Sequence, residues 1–118
     1  MVEDDDSMRD AIDHLLNVAG LRCAAYASAD ALLQEGVDKE SVCVVSDLRL
    51  PGMSGLELLC ALRARNVLLP FILITAHDAP GLRQKAMGSG VSAYLAKPFS
   101  GTALLEAVRR VIEPQPLS

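Results

Sequence analysis

The chain has 118 residues, enough for one domain, and its 51% hydrophobic and 3% aromatic content predicts aliphatic side chains packed between helices and a buried sheet. The net charge of −4 and the absence of Trp exclude direct nucleic-acid binding, which needs a basic face and stacking aromatics. No apolar run approaches membrane-spanning length and MVEDDDSM lacks signal-peptide features, so we expect a cytoplasmic protein without membrane contact.

Helical and strand patterns alternate in the first half of the chain. Apolar residues spaced by three and four, closed by Gly20, predict a first helix over Ser7–Ala19. LRCAAYA (21–27) predicts a short strand, and Ser28 is the expected N-cap of a brief helix that ends at Gln34. SVCVVSD (41–47) is a continuous apolar run, which is typical of a strand that is buried on both faces of a parallel sheet.

The second half repeats the alternation. A helix over Gly55–Arg65 is followed by a strand at PFILIT (70–75), a weaker helix over Ala79–Met87, a strand at SAYLA (92–96) and a last helix over Thr102–Ile112. The predicted inner face of the first of these helices carries Leu56, Leu59, Cys60 and Leu62. This order of elements predicts right-handed βαβ crossovers and a doubly wound α/β sheet. We expect one domain over residues 1–113, with residues 114–118 forming a tail or the start of a linker.

The cysteines and histidines give no sign of a disulfide or a transition-metal site. Cys23, Cys43 and Cys60 are odd in number, far apart and surrounded by apolar residues, which predicts buried free thiols in a reducing compartment. No further ligand accompanies His14 or His77 at metal-binding spacing, so we expect both to be exposed.

Polar residues stand where the predicted strands end. They are Glu3, Asp4, Asp47, Thr75 and Lys97. In doubly wound sheets the functional site lies outside the carboxyl ends of the strands, so these side chains are expected to meet there. The turn sequence PGMSG (51–55) follows Asp47 closely and should end where Ser54 caps the next helix.

These residues resemble the receiver domain of two-component response regulators, and the resemblance covers essentially the whole chain. It consists of the acidic stretch VEDDDSMR (2–9), Asp47 in SDLRLPGMSGLELL, Thr75 in LITAH, and Lys97 with Pro98 in YLAKPF. The elements occur in the family's order, with Thr75 28 positions after Asp47 and Lys97 22 positions after Thr75. DLRLPGMSGLELL is most similar to receivers of the nitrogen-fixation-regulator type.

The resemblance implies a fold and a chemistry. The fold is a flavodoxin-like doubly wound sheet of five parallel strands, in the order 2-1-3-4-5, flanked by five helices. Asp47 would accept a phosphoryl group from a histidine kinase or a small phosphodonor. The implied ligands of Mg²⁺, or of Mn²⁺, are Glu3, Asp4, Asp47 and the backbone carbonyl of Arg49. A hard cation of this kind prefers oxygen ligands and neutralises charge on the transferring group.

The resemblance also implies a switch. Lys97 would pair with the acidic cluster and then with the phosphoryl oxygens, aimed by a cis peptide bond to Pro98. Thr75 would donate its hydroxyl to the same oxygens, and the ring of Tyr94 would then turn from an exposed to a buried position. This movement would change the face made by the fourth helix, fifth strand and fifth helix, which would form a homodimer on phosphorylation or dock a partner.

Two residues beside the implied site are expected to set the lifetime of the acyl phosphate. His77 lies two positions after Thr75, and Arg49 lies two positions after Asp47. If this hypothesis is wrong, the variants His77→Ala and Arg49→Ala will lose phosphate at the parent rate.

The similarity to nitrogen-fixation regulators implies that the receiver is fused to a C-terminal DNA-binding output domain and controls transcription, while a stand-alone receiver or a receiver from a hybrid kinase stays open. Two other readings stay open. The first is a receiver-like protein-interaction module that is never phosphorylated. The second is a phosphatase of the haloacid dehalogenase class, which needs a second Asp two positions after its nucleophile, where this sequence has Arg49. We therefore expect a phosphoacceptor signalling domain and not an enzyme acting on other molecules.

Two features of the N-terminal region depart from this pattern or have simpler explanations. Receivers have several apolar residues ahead of the acidic pair, whereas only Met1 and Val2 precede Glu3 here, so the first strand is expected to be very short or incomplete in this sequence. The acids at positions 3–6 could also serve simply as favourable charges at the positive N-terminus of the first helix, an alternative that stays open chiefly for Asp5 and Asp6.

Overall fold

The computed structural model of the chain describes residues 1–21, 24–37 and 40–112. Within these ranges it has five helices and three strands. In chain order they are α1 (Asp6–Val18), α2 (Ala29–Glu35), β1 (Val44–Asp47), α3 (Gly55–Ala64), β2 (Phe71–Thr75), α4 (Leu82–Gly88), β3 (Ala93–Ala96) and α5 (Gly101–Ile112). The strands form a parallel sheet in the order β1-β2-β3, so the predicted α/β class with a parallel sheet and five helices is confirmed.

The helices cover both faces of the sheet, because alternate strand residues point to opposite sides. One cluster joins α2, α3 and α4 to a first set of strand residues, namely Val44, Phe71, Leu73 and Tyr94. The other joins α1 and α5 to a second set, namely Val45, Ile72 and Ile74. Every residue of β1 and β2 is buried, as their continuous apolar sequences predicted.

Within the described ranges, isolated bridges are found where the first two strands were predicted. Val2 forms one parallel bridge with Tyr26 and another with Ser46, so the described residues contain three strands and not the expected five. The Val2 N–H donates to the carbonyl of Val45 at 2.8 Å, and the N–H of Glu3 donates to that of Tyr26 at 3.0 Å. The segment at Val2 thus has hydrogen-bonded neighbours on both sides. The other predicted strand, 21–27, includes residues 22 and 23, which lie outside the described ranges.

The helix boundaries follow local capping chemistry. The Asp5 carboxylate accepts from the N–H of Met8 at 2.9 Å and caps α1, with Asp6 in its first turn, so both residues serve the helix as their simpler reading predicted. Ser28 caps α2 as predicted, and Ser54 forms a reciprocal capping box with Glu57 at the start of α3.

The inner face predicted for α3 was wrong by part of a turn. Its buried residues are Gly55, Leu58, Leu59 and Leu62. Cys60 is exposed, because at about 100° per residue it lies about 200° around the helix from both Leu58 and Leu62. The prediction of buried thiols is therefore wrong for Cys60, while Cys43 is partly buried and Cys23 lies outside the described residues.

The described part of the chain ends with α5 at Ile112, and the residues expected to form a tail or linker, 114–118, lie beyond it. None of the helices in the described ranges combines the length and apolar character needed to cross a lipid bilayer.

Candidate functional site

Asp47 is the last residue of β1 and lies at the carboxyl edge of the sheet. Its N–H donates to the carbonyl of Val2 at 3.0 Å, and the next N–H, from Leu48, donates to that of Ile74 at 2.8 Å. The strand end is therefore held between two neighbours, and Asp47 is only 7% exposed. The N–H of Arg49 donates to its Oδ1 at 3.2 Å, which fixes the orientation of the carboxylate from within the following turn.

Lys97 connects two carboxylates that are far apart in the sequence. Its Nζ donates to Oε1 of Glu3 at 2.9 Å and to Oδ2 of Asp47 at 2.8 Å. The Glu3 side chain is 1% exposed and that of Asp47 is 10% exposed, so water screens these ion pairs weakly. The structure thus brings together three of the residues that the sequence placed at strand ends.

Burial and proximity shift the pKa values of these groups in opposite directions. Burial, followed by the neighbouring Asp47 carboxylate, raises the pKa of Glu3 to about 7. Burial alone would raise the pKa of Asp47, but its close interactions with Glu3 and Lys97 lower it below its ordinary value. The pKa of Lys97 is raised, because hydrogen bonds to Asp47 and Glu3 outweigh its burial. Without a cation, a proton shared by the two acids would therefore reside on Glu3.

The acidic group has the donor set of a divalent cation site. Oxygen atoms of Glu3, Asp4 and Asp47 lie within 4.8 Å of one another. Within the described ranges, Oε2 of Glu3 is buried without any hydrogen-bond partner, while Asp4 is exposed to solvent. A buried carboxylate oxygen without a partner needs either a proton or a cation. The residues present therefore fit a small hard cation such as Mg²⁺, which takes oxygen ligands and retains water.

Thr75 ends β2 beside this cluster. Asp47 lies opposite Ile74 in the parallel register, so Thr75 is one position further along the neighbouring strand. It is fully buried, and its Oγ1 accepts from the N–H of His77 at 3.0 Å. Among the described residues its hydroxyl proton has no acceptor, so this donor remains free for an anionic group. The N–H of Lys97 donates to the Thr75 carbonyl at 2.7 Å, which places the lysine loop against the same strand.

Tyr94 is buried in this structure, whereas the predicted switch has the ring start from an exposed position. It is 7% exposed, and its hydroxyl donates to Oδ1 of Asp78 at 2.7 Å. The guanidinium carbon of Arg83 lies 5.9 Å from the ring centroid. Burial, and then the hydrogen bond to Asp78, raise the pKa of Tyr94 to about 12. Sequence reasoning missed Asp78 and Arg83, because no local pattern connects a loop acid with an aromatic residue 16 positions later.

Arg49 and His77 contact the site through their backbones. The N–H of Arg49 reaches Asp47 and that of His77 reaches Thr75, while both side chains are exposed. His14 is exposed as well, as predicted for both histidines. The peptide bond between Lys97 and Pro98 is cis.

Gly55 is a further residue of the site that sequence reasoning did not identify. Its N–H donates to the carbonyl of Leu48 at 2.8 Å. A Cβ atom at this position would lie 2.4 Å from the backbone oxygen of Asp47 and 2.9 Å from Cδ1 of Leu73. Only glycine therefore lets α3 begin this close to the end of β1.

Comparison with known proteins agrees with this geometry. Residues 1–109 match the family model described as the response regulator receiver domain. The transcriptional regulatory protein FixJ of Azorhizobium caulinodans is 40% identical over 109 residues, which cover 92% of this chain and 52% of FixJ. The Nodulation protein W of Bradyrhizobium diazoefficiens is also 40% identical, over 92% of this chain and 48% of its own length. The chain thus spans about half the length of these relatives.

Solved structures give the same result. The receiver domain of the Francisella response regulator 1452 superposes with a TM-score of 0.86 at 26% identity, covering 94% of this chain and 92% of that one. The chemotaxis response regulator CheY4 of Vibrio cholerae gives a TM-score of 0.84 at 28% identity, with 93% of each chain covered. The family match over residues 1–109 and these superpositions show that the chain belongs to the receiver domains of two-component response regulators.

Proposed function

We propose that this receiver is phosphorylated on Asp47 and that the modification controls an output, with a histidine kinase as the donor. The observation that carries the proposal is the position of Asp47, a buried carboxylate at a strand end that one lysine joins to a second buried acid. Its lowered pKa keeps it ionised, as a carboxylate nucleophile requires.

The proposed reaction is an in-line phosphoryl transfer. A carboxylate oxygen of Asp47 supplies the electron pair for the new bond to phosphorus, while the bond to the donor's nitrogen or oxygen breaks and its electrons leave with the donor. The ammonium group of Lys97 lies 2.8 Å from Oδ2 of Asp47. It would move to pair with the phosphoryl oxygens as negative charge develops on them. The unused hydroxyl proton of Thr75 would be donated to one of these oxygens.

Mg²⁺, or Mn²⁺, would be held by Glu3, Asp4, Asp47 and the backbone carbonyl of Arg49. When bound, it would neutralise the negative charge that gathers on the transferring group. The support for this assignment is the partnerless buried oxygen of Glu3 beside two further carboxylates. The chain's own contribution is to hold these acids in place, and the backbone N–H of Glu3 does so by donating to the carbonyl of Tyr26 at 3.0 Å.

We also infer that Val2 and Tyr26 occupy the positions of the first two strands, which would give the five-strand order 2-1-3-4-5. The basis is the pair of bridges that place Val2 between Tyr26 and Ser46. The proposed signal leaves through the face formed by α4, β3 and α5, where Tyr94 lies. The proposal also includes a homodimer formed on phosphorylation and a C-terminal DNA-binding domain. The DNA-binding domain is supported by FixJ, which is a transcriptional regulatory protein about twice as long as the match.

The test is the intact mass of the protein after incubation with acetyl phosphate and Mg²⁺. We expect a gain of about 80 Da, the mass of one phosphoryl group. The gain should be absent from Asp47→Asn and from a chelator-treated sample, and present in Asp10→Asn, which changes an exposed acid of α1. If the folded protein gains no mass, it is instead a receiver-like interaction module that is not phosphorylated.

The affinity for Mg²⁺ is expected to rise with pH up to about 7 and then level off. Glu3 must release its proton to bind the cation, and its raised pKa of about 7 means that protons compete throughout the acidic range. Below pH 7 the dissociation constant for Mg²⁺ should increase about tenfold for each unit by which the pH falls, because binding displaces one proton. Isothermal titration calorimetry in buffers of different ionisation enthalpy measures both the affinity and the released proton.

The matched control for this pH dependence is Glu3→Gln, which keeps the shape of the side chain and removes its titration. This variant should bind Mg²⁺ weakly and with little change between pH 5.5 and 7.5. A parent protein whose affinity is equally flat over that range would show that Glu3 does not exchange a proton for the cation.

A further inference from the structure

The segment between β2 and β3 is tied down at two points. Near its start, the N–H of His77 donates to the hydroxyl oxygen of Thr75 at 3.0 Å. One residue later, the carboxylate of Asp78 accepts the hydroxyl proton of Tyr94 at 2.7 Å. The adjacent loop residues His77 and Asp78 thus contact Thr75 and Tyr94. In the proposed function, Thr75 contacts the phosphoryl group and Tyr94 lies on the output face.

Tyr94 is held at its ring as well as at its hydroxyl. Arg83, in the first turn of α4, places its guanidinium 5.9 Å from the ring centroid, within the distance of a cation–π contact. A phenol that donates to a carboxylate makes a charge-assisted hydrogen bond, which is stronger than one between neutral groups. Because Asp78 itself is exposed, it has no packing role of its own to explain its position over the buried tyrosine.

We infer that Asp78 is a positioning residue that holds Tyr94 in its buried conformer before Asp47 is modified. The consequence of this inference rests on the proposed function: Tyr94, the switch residue of this receiver, is already in its buried position before phosphorylation. A side chain with two positions responds to any contact that favours one of them. The structure shows the Asp78 hydrogen bond with Tyr94 in the buried position. Removal of the Asp78 carboxylate should therefore shift the ring outward and weaken the connection between Thr75 and the output face.

The chain allows a direct measurement of this position. It has no Trp and only two Tyr, so in a Tyr26→Phe background Tyr94 is the sole fluorophore of this class. Quenching of its emission by acrylamide reports the exposure of the ring and requires no phosphoryl transfer. We expect weak quenching in this background and strong quenching after Asp78→Ala, corresponding to a shift of about tenfold or more in the ratio of buried to exposed rings.

Matched variants separate the hydrogen bond from other effects of the substitution. Asp78→Asn retains an oxygen acceptor and should keep Tyr94 largely shielded. Asp10→Ala removes the same charge from an exposed position on α1 and should change nothing. The inference is overturned if Asp78→Ala leaves Tyr94 as shielded as before, or if Asp10→Ala exposes it equally. Because Asp78 is exposed, these variants should fold, and circular dichroism verifies that they do.

A second readout ties the position of Tyr94 to the chemistry. With acetyl phosphate, Asp78→Ala should slow the labelling of Asp47 several-fold in a chain that has Tyr94, and should have no further effect once Tyr94→Phe has removed the hydroxyl. A slowing of equal size in both backgrounds would show that Asp78 acts in some other way. If no variant is labelled at all, the proposed phosphorylation fails, while acrylamide quenching still decides whether Asp78 holds the ring.

Discussion

Replacing Lys97 with Met is expected to destabilise the protein strongly above pH 7 when no divalent cation is present. Lys97 bridges Glu3 and Asp47, whose side chains are 1% and 10% exposed. Methionine keeps the aliphatic length but removes the charge, so two ionised carboxylates would remain buried together. Breaking a buried ion pair in this way typically costs about 3–5 kcal/mol of the free energy of unfolding. Urea denaturation at pH 8 in the presence of a chelator measures the loss.

The pH dependence of this loss follows from the direction of each pKa shift. The folded state raises the pKa of Glu3 from 4.5 to about 7, so protonation of Glu3 favours folding, and this contribution disappears as the pH rises through that range. Asp47 acts in the opposite sense, because its lowered pKa stabilises the fold above its ordinary value of 3.8. Without Lys97 the Asp47 contribution is lost and Glu3 holds its proton more tightly. The destabilisation should therefore be largest at pH 8 and smaller near pH 5.

Two comparisons make the Lys97 prediction specific. Lys85→Met removes the same charge from an exposed position on α4 and should change the free energy of unfolding by no more than about 0.5 kcal/mol. Added Mg²⁺ should restore part of the stability of Lys97→Met, because a cation between the acids replaces the missing positive charge. An equal loss at pH 5 and pH 8, unaffected by Mg²⁺, would mean that Lys97 contributes through packing and not through its charge.

The parts of the site that could be predicted from the sequence are those that topology alone brings together. Asp47 and Thr75 each end a continuous apolar run, and such runs become neighbouring parallel strands whose carboxyl ends meet at one edge. Lys97 follows the last strand in the same way. For these residues no detail of loop conformation is needed, so the pattern of apolar and polar residues was sufficient.

The parts that could not be predicted depend on distances set by the whole fold. The contact of Asp78 with Tyr94 requires the path of the loop after β2, for which the sequence carries no periodic signal. The inner face of α3 depended on the phase of the helix, and the predicted face contained Cys60, whereas the buried face contains Leu58. At Val2 the pairing is confined to single bridges, and a pattern of apolar residues does not state how many residues a sheet will pair.

Gly55→Ala is expected to lower the free energy of unfolding by about 1–3 kcal/mol, the range typical of overpacking a filled interior. The added Cβ would lie 2.4 Å from the backbone oxygen of Asp47, which real contacts of this kind essentially never show. A side chain could rotate away from such a contact, but the Asp47 carbonyl belongs to the backbone and also accepts from Ser46 Oγ at 2.9 Å. Either the start of α3 or the end of β1 must therefore move.

Gly88→Ala provides the matched control for this substitution. Gly88 is the last residue of α4, no atom lies within 4 Å of where its Cβ would be, and its φ is not positive. Exchange of glycine for alanine there should be neutral or stabilising by about 0.5–1 kcal/mol, because alanine restricts the unfolded chain. A Gly55→Ala protein as stable as the parent would show that α3 and β1 can separate at no cost.

The same substitution distinguishes the position of Asp47 from its charge. Gly55→Ala alters no ionisable group, yet it displaces the residue whose carboxylate is proposed to accept the phosphoryl group. Labelling by acetyl phosphate, measured at a temperature where the variant is still folded, should therefore fall well below that of Gly88→Ala. Since a small misplacement of a reacting group slows a reaction steeply, the loss of labelling should exceed what the unfolded fraction explains. If labelling instead falls only in proportion to that fraction, the reaction tolerates movement of the strand end and depends on the charges alone.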